Sequence, residues 1–271
     1  MIKVDKQGES GPLLILLPGW AASSQIFSNF EVWAQAYRMR IWRVDYSAAE
    51  FDALYQKHPV ALQACVEAIL AEVQEPAIWV GWSLGGLIAL KAAALQPQRT
   101  QALFMLAATP QFVAGEDWPH AMSEEMFNAF EQDLIAQPAQ LLKRFRHLQV
   151  KGSVAARTLI PLLEEKASDA SVEQLQQQLN WLRQSAWAEW ERLKDRVFFV
   201  LGGKDLLVPS LPWYAVMREH FTPFDAQLSL FPDAAHLPFL SDAEAFFTDL
   251  EKRLALHGLE KISDSDPQQE F

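Results

Sequence analysis

The stretch Ala77-Ile78-Trp79-Val80-Gly81-Trp82-Ser83-Leu84-Gly85-Gly86-Leu87-Ile88-Ala89-Leu90 runs from a short apolar strand through Gly-x-Ser-x-Gly into a helix. A strand that turns this sharply into a helix holds the central serine in a strained conformation, and only small residues two places either side let the backbones pass. Gly81 and Gly85 fill those places. The turn lifts the Ser83 hydroxyl above a sheet, at a helix N-terminus whose free N–H groups stabilise developing negative charge. That is a nucleophile's position. The bland alternative, a glycine-rich turn with an incidental serine, is outweighed by the strand before it and the helix after it.

The rest of the chain supplies the sheet that such a turn needs. Ile2 to Val4 reads as an edge strand, and Leu13 to Leu17 is a continuous apolar run of the kind buried on both faces of a sheet. Ser23 and Ser24 are candidate caps for a helix from Gln25 to Tyr37, followed by a strand at Ile41 to Val44 with Asp45 beyond its end. A helix from Val60 to Val73, the strand entering Ser83, a helix to about Leu95 and a strand from Gln101 to Leu106 continue the alternation, which predicts a parallel sheet. From Phe112 to Lys194 the alternation stops in favour of amphipathic helices, with Leu134, Leu141, Leu142, Phe145 and Leu148 marking one apolar face. Strands at Arg196 to Leu201 and Gln227 to Phe231, with a helix near Leu211 to Phe221 between them and a last helix from Ala243 to Leu256, resume the core.

The expected architecture is therefore an α/β-hydrolase fold, a mostly parallel sheet flanked by helices with an inserted all-helical lid. Residues 1–111 and 195–257 form the core, 112–194 the lid and 258–271 a disordered tail. An insertion at that point is expected over the carboxyl ends of the strands, where open α/β sheets bind ligands. The lone Cys65 cannot form an internal disulfide and reads as a buried core thiol. Cysteine gives no support to metal chemistry, and neither a metal nor a cofactor is called for. A net charge of -11 argues against general nucleic-acid binding. The start lacks the apolar core of a signal peptide, and no apolar stretch approaches the ~18 residues that span a bilayer, so a cytoplasmic protein with no membrane partner is expected.

A serine hydroxyl is a poor nucleophile until a base takes its proton and an acid holds that base in one tautomer. Of six histidines, His58, His120, His147, His220 and His257 have ordinary surface readings. His236 follows the strand ending at Phe231 by the short loop Pro232-Asp233-Ala234-Ala235, and a late loop after the last strand is where this fold carries its base. Asp205, after Gly202-Gly203-Lys204, leaves the sheet at the same edge and completes the order serine, acid, histidine. Its rival is Asp233, whose short tether to His236 makes it hard to reach the far ring nitrogen. The oxyanion needs two donors. The Leu84 N–H is one, and the backbone N–H of Trp20, in the loop after Leu13 to Leu17, is the candidate for the other. The Trp20 indole is also a candidate wall of the acyl pocket. Trp82 reads equally as pocket lining or core packing, and Phe145, Phe127 and Leu148 as acyl-channel lining or core.

With these residues placed, the chain resembles the BioH esterases of biotin synthesis, which hydrolyse pimeloyl-[acyl-carrier protein] methyl ester. The resemblance rests on Ala77 to Leu87, Glu116-Asp117-Trp118-Pro119, Arg144-Phe145, Leu148-Gln149 and Ala234-Ala235-His236-Leu237-Pro238-Phe239, and spans most of residues 10–255. It implies a triad of Ser83, Asp205 and His236, oxyanion donors at Trp20 and Leu84, and release of the ω-carboxylate as methanol departs. It also implies that an acyl carrier protein presents the substrate. Within an acidic chain, Lys143, Arg144, Arg146, His147, Lys151 and Arg157 concentrate positive charge in the insertion, suited to steering an acidic carrier. Arg144 and Arg157 best match the arginines that the family uses this way. The chain departs from the family at Pro18, where the family has histidine, and after Asp45, where Tyr46-Ser47-Ala48-Ala49-Glu50 replaces a Pro-Gly-x-Gly loop. The expected protein is a monomeric serine carboxylesterase. A general short-acyl esterase or thioesterase on small free esters, with the basic residues a solvated face, is the alternative. A non-catalytic binding protein on the same fold is the third reading.

Overall fold

A computed structural model of the chain describes residues 2–46, 61–220, 227–256 and 258. Seven strands, β1 (Lys3–Gln7), β2 (Leu13–Leu17), β3 (Arg40–Asp45), β4 (Ala77–Trp82), β5 (Thr100–Leu106), β6 (Val197–Gly202) and β7 (Leu228–Phe231), form one sheet in the order β1-β3-β2-β4-β5-β6-β7. β1 runs antiparallel to β3 and every other pairing is parallel. The described helices are α1 (Asn29–Ala36), α2 (Ala61–Glu72), α3 (Leu84–Leu95), α4 (Glu124–Ala136), α5 (Pro138–Val150), α6 (Ala156–Glu165), α7 (Val172–Trp181), α8 (Trp187–Leu193), α9 (Ser210–His220), α10 (Pro238–Ser241) and α11 (Ala243–Ala255). This is the α/β-hydrolase fold.

Every residue of β2, β4 and β6 is buried, because helices cover both faces of the sheet and leave no side of these strands for polar residues. Alternation divides the core in two. Leu13, Ile15 and Leu17 join Trp79 and the α3 side chains Leu87 and Leu90 on one face, while Leu14 and Leu16 join Val80, Trp82, Phe30 of α1 and Phe246 of α11 on the other. Strand order reverses between β2 and β4, since β2 has β3 on one side and β4 on the other. Open α/β sheets bind ligands in the crevice beyond the carboxyl ends of strands at such a switch point. Trp20 follows β2 and Ser83 follows β4.

Five helices, α4 to α8, lie between β5 and β6. Phe127, Leu141, Phe145 and Leu179 from them are buried in the same cluster as the inner residues of α3. Cys65 is buried in that cluster too.

One expected helix is divided. The segment from Gln25 folds as a 3-10 turn, Ser24–Phe27, before α1 begins at Asn29. Ser23 does not cap it with its side chain; its hydroxyl and its N–H both donate to the Lys166 carbonyl, at 3.1 and 2.8 Å. A tertiary acceptor between α6 and α7 has displaced the local one. No described helix is long and apolar enough to cross a membrane. Val60, His58, Ser47 to Glu50, Phe221, His257 and all of the expected tail except Gly258 lie outside the described residues.

Candidate active site

Ser83 sits between β4 and α3 with φ 54° and ψ −118°, a left-handed conformation that a side-chain-bearing residue adopts at a cost of ~1–3 kcal/mol. Its N–H donates to the Leu106 carbonyl at 2.9 Å, and its own carbonyl accepts from Gly86 N–H at 2.9 Å. The glycines are required by contact. A Cβ on Gly81 would lie 2.3 Å from the Gly85 oxygen, and one on Gly85 would lie 2.1 Å from the Leu17 oxygen. Gly86, which the five-residue pattern does not include, meets Ala108 in the same way, at 2.6 Å from its Cβ.

The turn after β6 carries Asp205 and the turn after β7 leads to His236. Asp205 Oδ1 accepts from the N–H groups of Leu207 and Val208, at 2.8 and 3.1 Å, while Oδ2 lies 2.8 Å from His236 Nδ1. Both side chains are closed to solvent, at 1% exposure for His236 and 0% for Asp205. A carboxylate can only accept, so Nδ1 carries the proton and Nε2 is left as the basic nitrogen. Nε2 is buried and meets no hydrogen-bond partner among the described residues, and His236 and Ser83 line the same cavity. Hydrogen bonds of a serine to its base are often completed only with substrate bound. The rival acid is turned away: Asp233 is 75% exposed and takes a 2.8 Å ion pair from Lys204.

The backbone of His236 is held as firmly as its ring. Its N–H donates to the Gln149 carbonyl at 2.9 Å, in the last turn of α5, and its carbonyl accepts from the Trp82 indole N–H at 2.8 Å. Helix ends leave carbonyls without intrahelical partners, and α5 uses one of them here. A Cβ on Gly202 would lie 1.9 Å from the Ala235 oxygen, so the two loops that carry Asp205 and His236 touch backbone to backbone.

Leu84 occupies the first position of α3, where its N–H has no carbonyl one turn back. The Trp20 N–H also meets no acceptor among the described residues. The loop that carries it is fixed from several sides. Its indole N–H donates to the Leu175 carbonyl at 2.8 Å, its rings meet Phe145 edge-on at 4.9 Å, and the Tyr46 hydroxyl donates to the Pro18 carbonyl. The first residue of the Tyr46 to Glu50 departure thus binds the other departure, Pro18, through a carbonyl that any residue there would offer.

The cavity, with its open mouth, holds about 510 Å³ of space not filled by atoms. Ser83 and His236 are its polar members; Trp20, Phe127, Phe130, Phe145, Leu179 and Val208 are among its apolar walls. Phe145 and Phe127 line it and also belong to the core cluster on this face of the sheet, and Leu148 does not line it. Trp82 requires a correction as a substrate-binding residue. It is wholly buried on the opposite face of the sheet, against Phe239, because alternation along β4 points it away from the cavity. Arg144 and Arg157 are exposed on α5 and α6 and do not line the cavity, and Arg144 pairs with Asp133 at 2.6 Å. Sequence reasoning missed the Gln149 carbonyl and the Tyr46 hydroxyl, and no local signal in the chain marks either. Among the described residues no three of His, Cys, Asp or Glu gather as a metal site.

The sequence pattern described as the alpha/beta hydrolase family matches residues 14–249. The pimeloyl-[acyl-carrier protein] methyl ester esterase of Xanthomonas campestris pv. campestris (strain B100) is 36% identical over 250 residues, covering 90% of this chain and 96% of the relative. The protein of the same name from Xylella fastidiosa (strain 9a5c) is 33% identical over 250 residues, with the same coverage of 90% and 96%. Among solved structures, an esterase from Exiguobacterium antarcticum superposes with a TM-score of 0.76 at 21% identity, covering 95% of each chain. The structure of E-2-(acetamidomethylene)succinate hydrolase gives 0.70 at 18% identity, covering 94% of this chain and 95% of that one. Likeness at such identities speaks for the fold alone.

Proposed function

The chain belongs to the alpha/beta hydrolase family, and from that premise we propose that it hydrolyses the methyl ester of pimeloyl-[acyl-carrier protein] in biotin synthesis through an acyl-enzyme on Ser83. It is a carboxylic ester hydrolase. The observation that supports the mechanism is the buried Asp205 and His236 pair, whose Nε2 has no hydrogen-bond partner among the described residues, on the cavity that Ser83 also lines.

His236 Nε2 takes the Ser83 proton as Oγ bonds to the ester carbonyl carbon, and the oxyanion is received by the N–H groups of Trp20 and Leu84. The tetrahedral intermediate collapses with loss of the methoxy group, which takes the proton from Nε2 and leaves as methanol. A water molecule then gives a proton to Nε2 and its oxygen bonds to the acyl carbon. As the C–Oγ bond breaks, that proton returns to Ser83 and the acid is released. Asp205 keeps Nδ1 protonated throughout and stabilises the imidazolium. The apolar walls accept an acyl chain but offer the product carboxylate no cation, which favours its departure.

The helical insertion, residues 112–194, serves in this reading as the lid, with the carrier seated against its basic face at Arg144 and Arg157. A second reading, a general esterase of small free esters, draws on the Asp133 carboxylate that already pairs with Arg144. Complementation of a strain blocked at pimeloyl ester cleavage tests the first: the chain restores growth and its Ser83→Ala variant does not. Growth with Ser83→Ala would refute the mechanism. Comparing a carrier-bound acyl methyl ester with the free ester tests the docking. Arg144→Ala and Arg157→Ala, or added salt, lower kcat/KM for the carrier-bound ester only. Equal efficiency on both esters, untouched by either change, would leave the second reading in place.

A further inference from the structure

Trp82 is buried one residue before the nucleophile, outside the cavity, and it touches both of the loops on which the proposed chemistry depends. Its indole N–H donates to the His236 carbonyl at 2.8 Å, and the two rings lie 5.7 Å apart between centroids. On its other side the six-membered ring is pressed against Gly19: a Cβ there would fall 2.9 Å from Cε3 and 3.1 Å from Cδ2 and Cζ3. Gly19 immediately precedes Trp20, the second oxyanion donor. We infer that Trp82 is a positioning residue that couples the base loop to the oxyanion loop, so that the spacing between His236 Nε2 and the Trp20 N–H is set by one rigid indole rooted beside Ser83.

The argument is one of degrees of freedom. His236 carries three fixing contacts: Asp205 on Nδ1, Gln149 on its N–H and Trp82 on its carbonyl. The last of these sits on a side chain that itself presses on the oxyanion loop at Gly19, whereas the helix that carries Gln149 meets that loop through a different side chain, Phe145 against the Trp20 rings. An indole has two side-chain torsions and a rigid body, so a displacement at its benzo edge is transmitted to its N–H rather than absorbed. Gly19 has no positive φ, and its lack of a side chain is explained by the approach of this ring rather than by its backbone. A misplacement of about 1 Å between reacting groups costs up to about a hundredfold in rate, so a residue that never touches substrate can govern the rate in this way.

The inference rests on the triad reading, and a double-mutant cycle separates the two. Trp82→Phe removes the N–H and the outer benzo atoms, and Gly19→Ala pushes a methyl group against the ring. Acylation of Ser83 is followed as the burst of nitrophenol from p-nitrophenyl butyrate, with kcat, KM and the thermal midpoint measured for each protein. Each single variant lowers the acylation rate by about tenfold or more with KM nearly unchanged, because neither side chain lines the cavity. With Phe at position 82 the methyl group finds room, so Gly19→Ala then costs no more than about twofold. Phe239→Leu, which thins the packing on the same ring but leaves the hydrogen bond, lowers the thermal midpoint while the acylation rate stays within about twofold of the parent. Equal factors for Gly19→Ala in both backgrounds, or a rate loss in Phe239→Leu that matches Trp82→Phe, would overturn the coupling. A parent protein that forms no acyl-enzyme would overturn the triad, and this inference with it.

Discussion

Replacing Asp205 by asparagine is the sharpest probe of the site, because the structure dictates which way the new amide must face. Two backbone N–H groups, from Leu207 and Val208, converge on Oδ1 at 2.8 and 3.1 Å. An amide nitrogen placed there would oppose donor to donor and leave two buried N–H groups without acceptors, at about 1–3 kcal/mol each. The amide oxygen therefore takes the Oδ1 position and the NH2 group faces His236 Nδ1. That nitrogen must then accept, so the ring proton moves to Nε2, the atom that receives the Ser83 proton in the proposed mechanism. The fold survives and the base is held in the wrong tautomer. The corresponding change in serine hydrolases of the same geometry costs about 10,000-fold in kcat, or about 5.4 kcal/mol of transition-state stabilisation. The expected result is a thermal midpoint close to the parent's, with p-nitrophenyl butyrate hydrolysis and fluorophosphonate labelling of Ser83 both reduced by about that factor. Asp205→Ala serves as the contrast, losing stability as well as activity because Leu207 and Val208 lose their acceptor. An Asp205→Asn protein within about tenfold of the parent would refute the assigned orientation and the role of the pair.

Two further outcomes follow from groups away from the site. Cys65 is fully buried and burial raises its thiol pKa, so the folded protein at pH 8 resists a disulfide-forming thiol reagent, whereas one equivalent reacts in denaturant; rapid reaction of the folded protein would contradict the packing. Glu75 has its pKa lowered, first by its hydrogen bond with Arg40, which reaches Oε1 at 2.9 Å. A depressed folded pKa contributes stability above the ordinary carboxylate range and loses it as pH falls through the lowered value. With the Glu75 side chain 41% exposed, solvent screening holds the pair to less than about 1 kcal/mol. Arg40→Met is thus slightly less stable than the parent near pH 7, and the gap narrows below about pH 4 in urea unfolding; a gap as wide at pH 3 as at pH 7 would count against the assignment.

What the chain revealed by itself was whatever a few consecutive residues can specify. Ser83 stood out because Gly81, Gly85 and the flanking apolar runs state its requirements within fourteen residues, and the buried strands because unbroken runs such as Leu13 to Leu17 suit only a doubly covered sheet. Asp205 and His236 were legible for a weaker reason, their order along the chain and their places just after β6 and β7. What separates Asp233 from Asp205 as the acid is the surface position of its carboxylate, paired with Lys204. Ser23 misled because a local cap is visible in sequence and a distant carbonyl at Lys166 is not.

The tertiary structure alone decided what joins these pieces. Whether Trp82 lines the pocket or lies behind it depends on which face of the sheet the cavity occupies, and the apolar pattern of β4, with all six residues buried, is silent on that. Its bond to His236 spans 154 positions, and that of Tyr46 to Pro18 spans 28. The Gln149 carbonyl reaches His236 only because α5 ends beside the loop after β7. These contacts follow from strand order and from the packing of the insertion against the sheet, which bring together residues whose spacing along the chain carries no trace of the meeting. The turn at Ser83 is a local property of the sequence; the placing of His236, Asp205 and Trp20 around it is a property of the fold, because it is set by backbones that touch only once the sheet has closed around them.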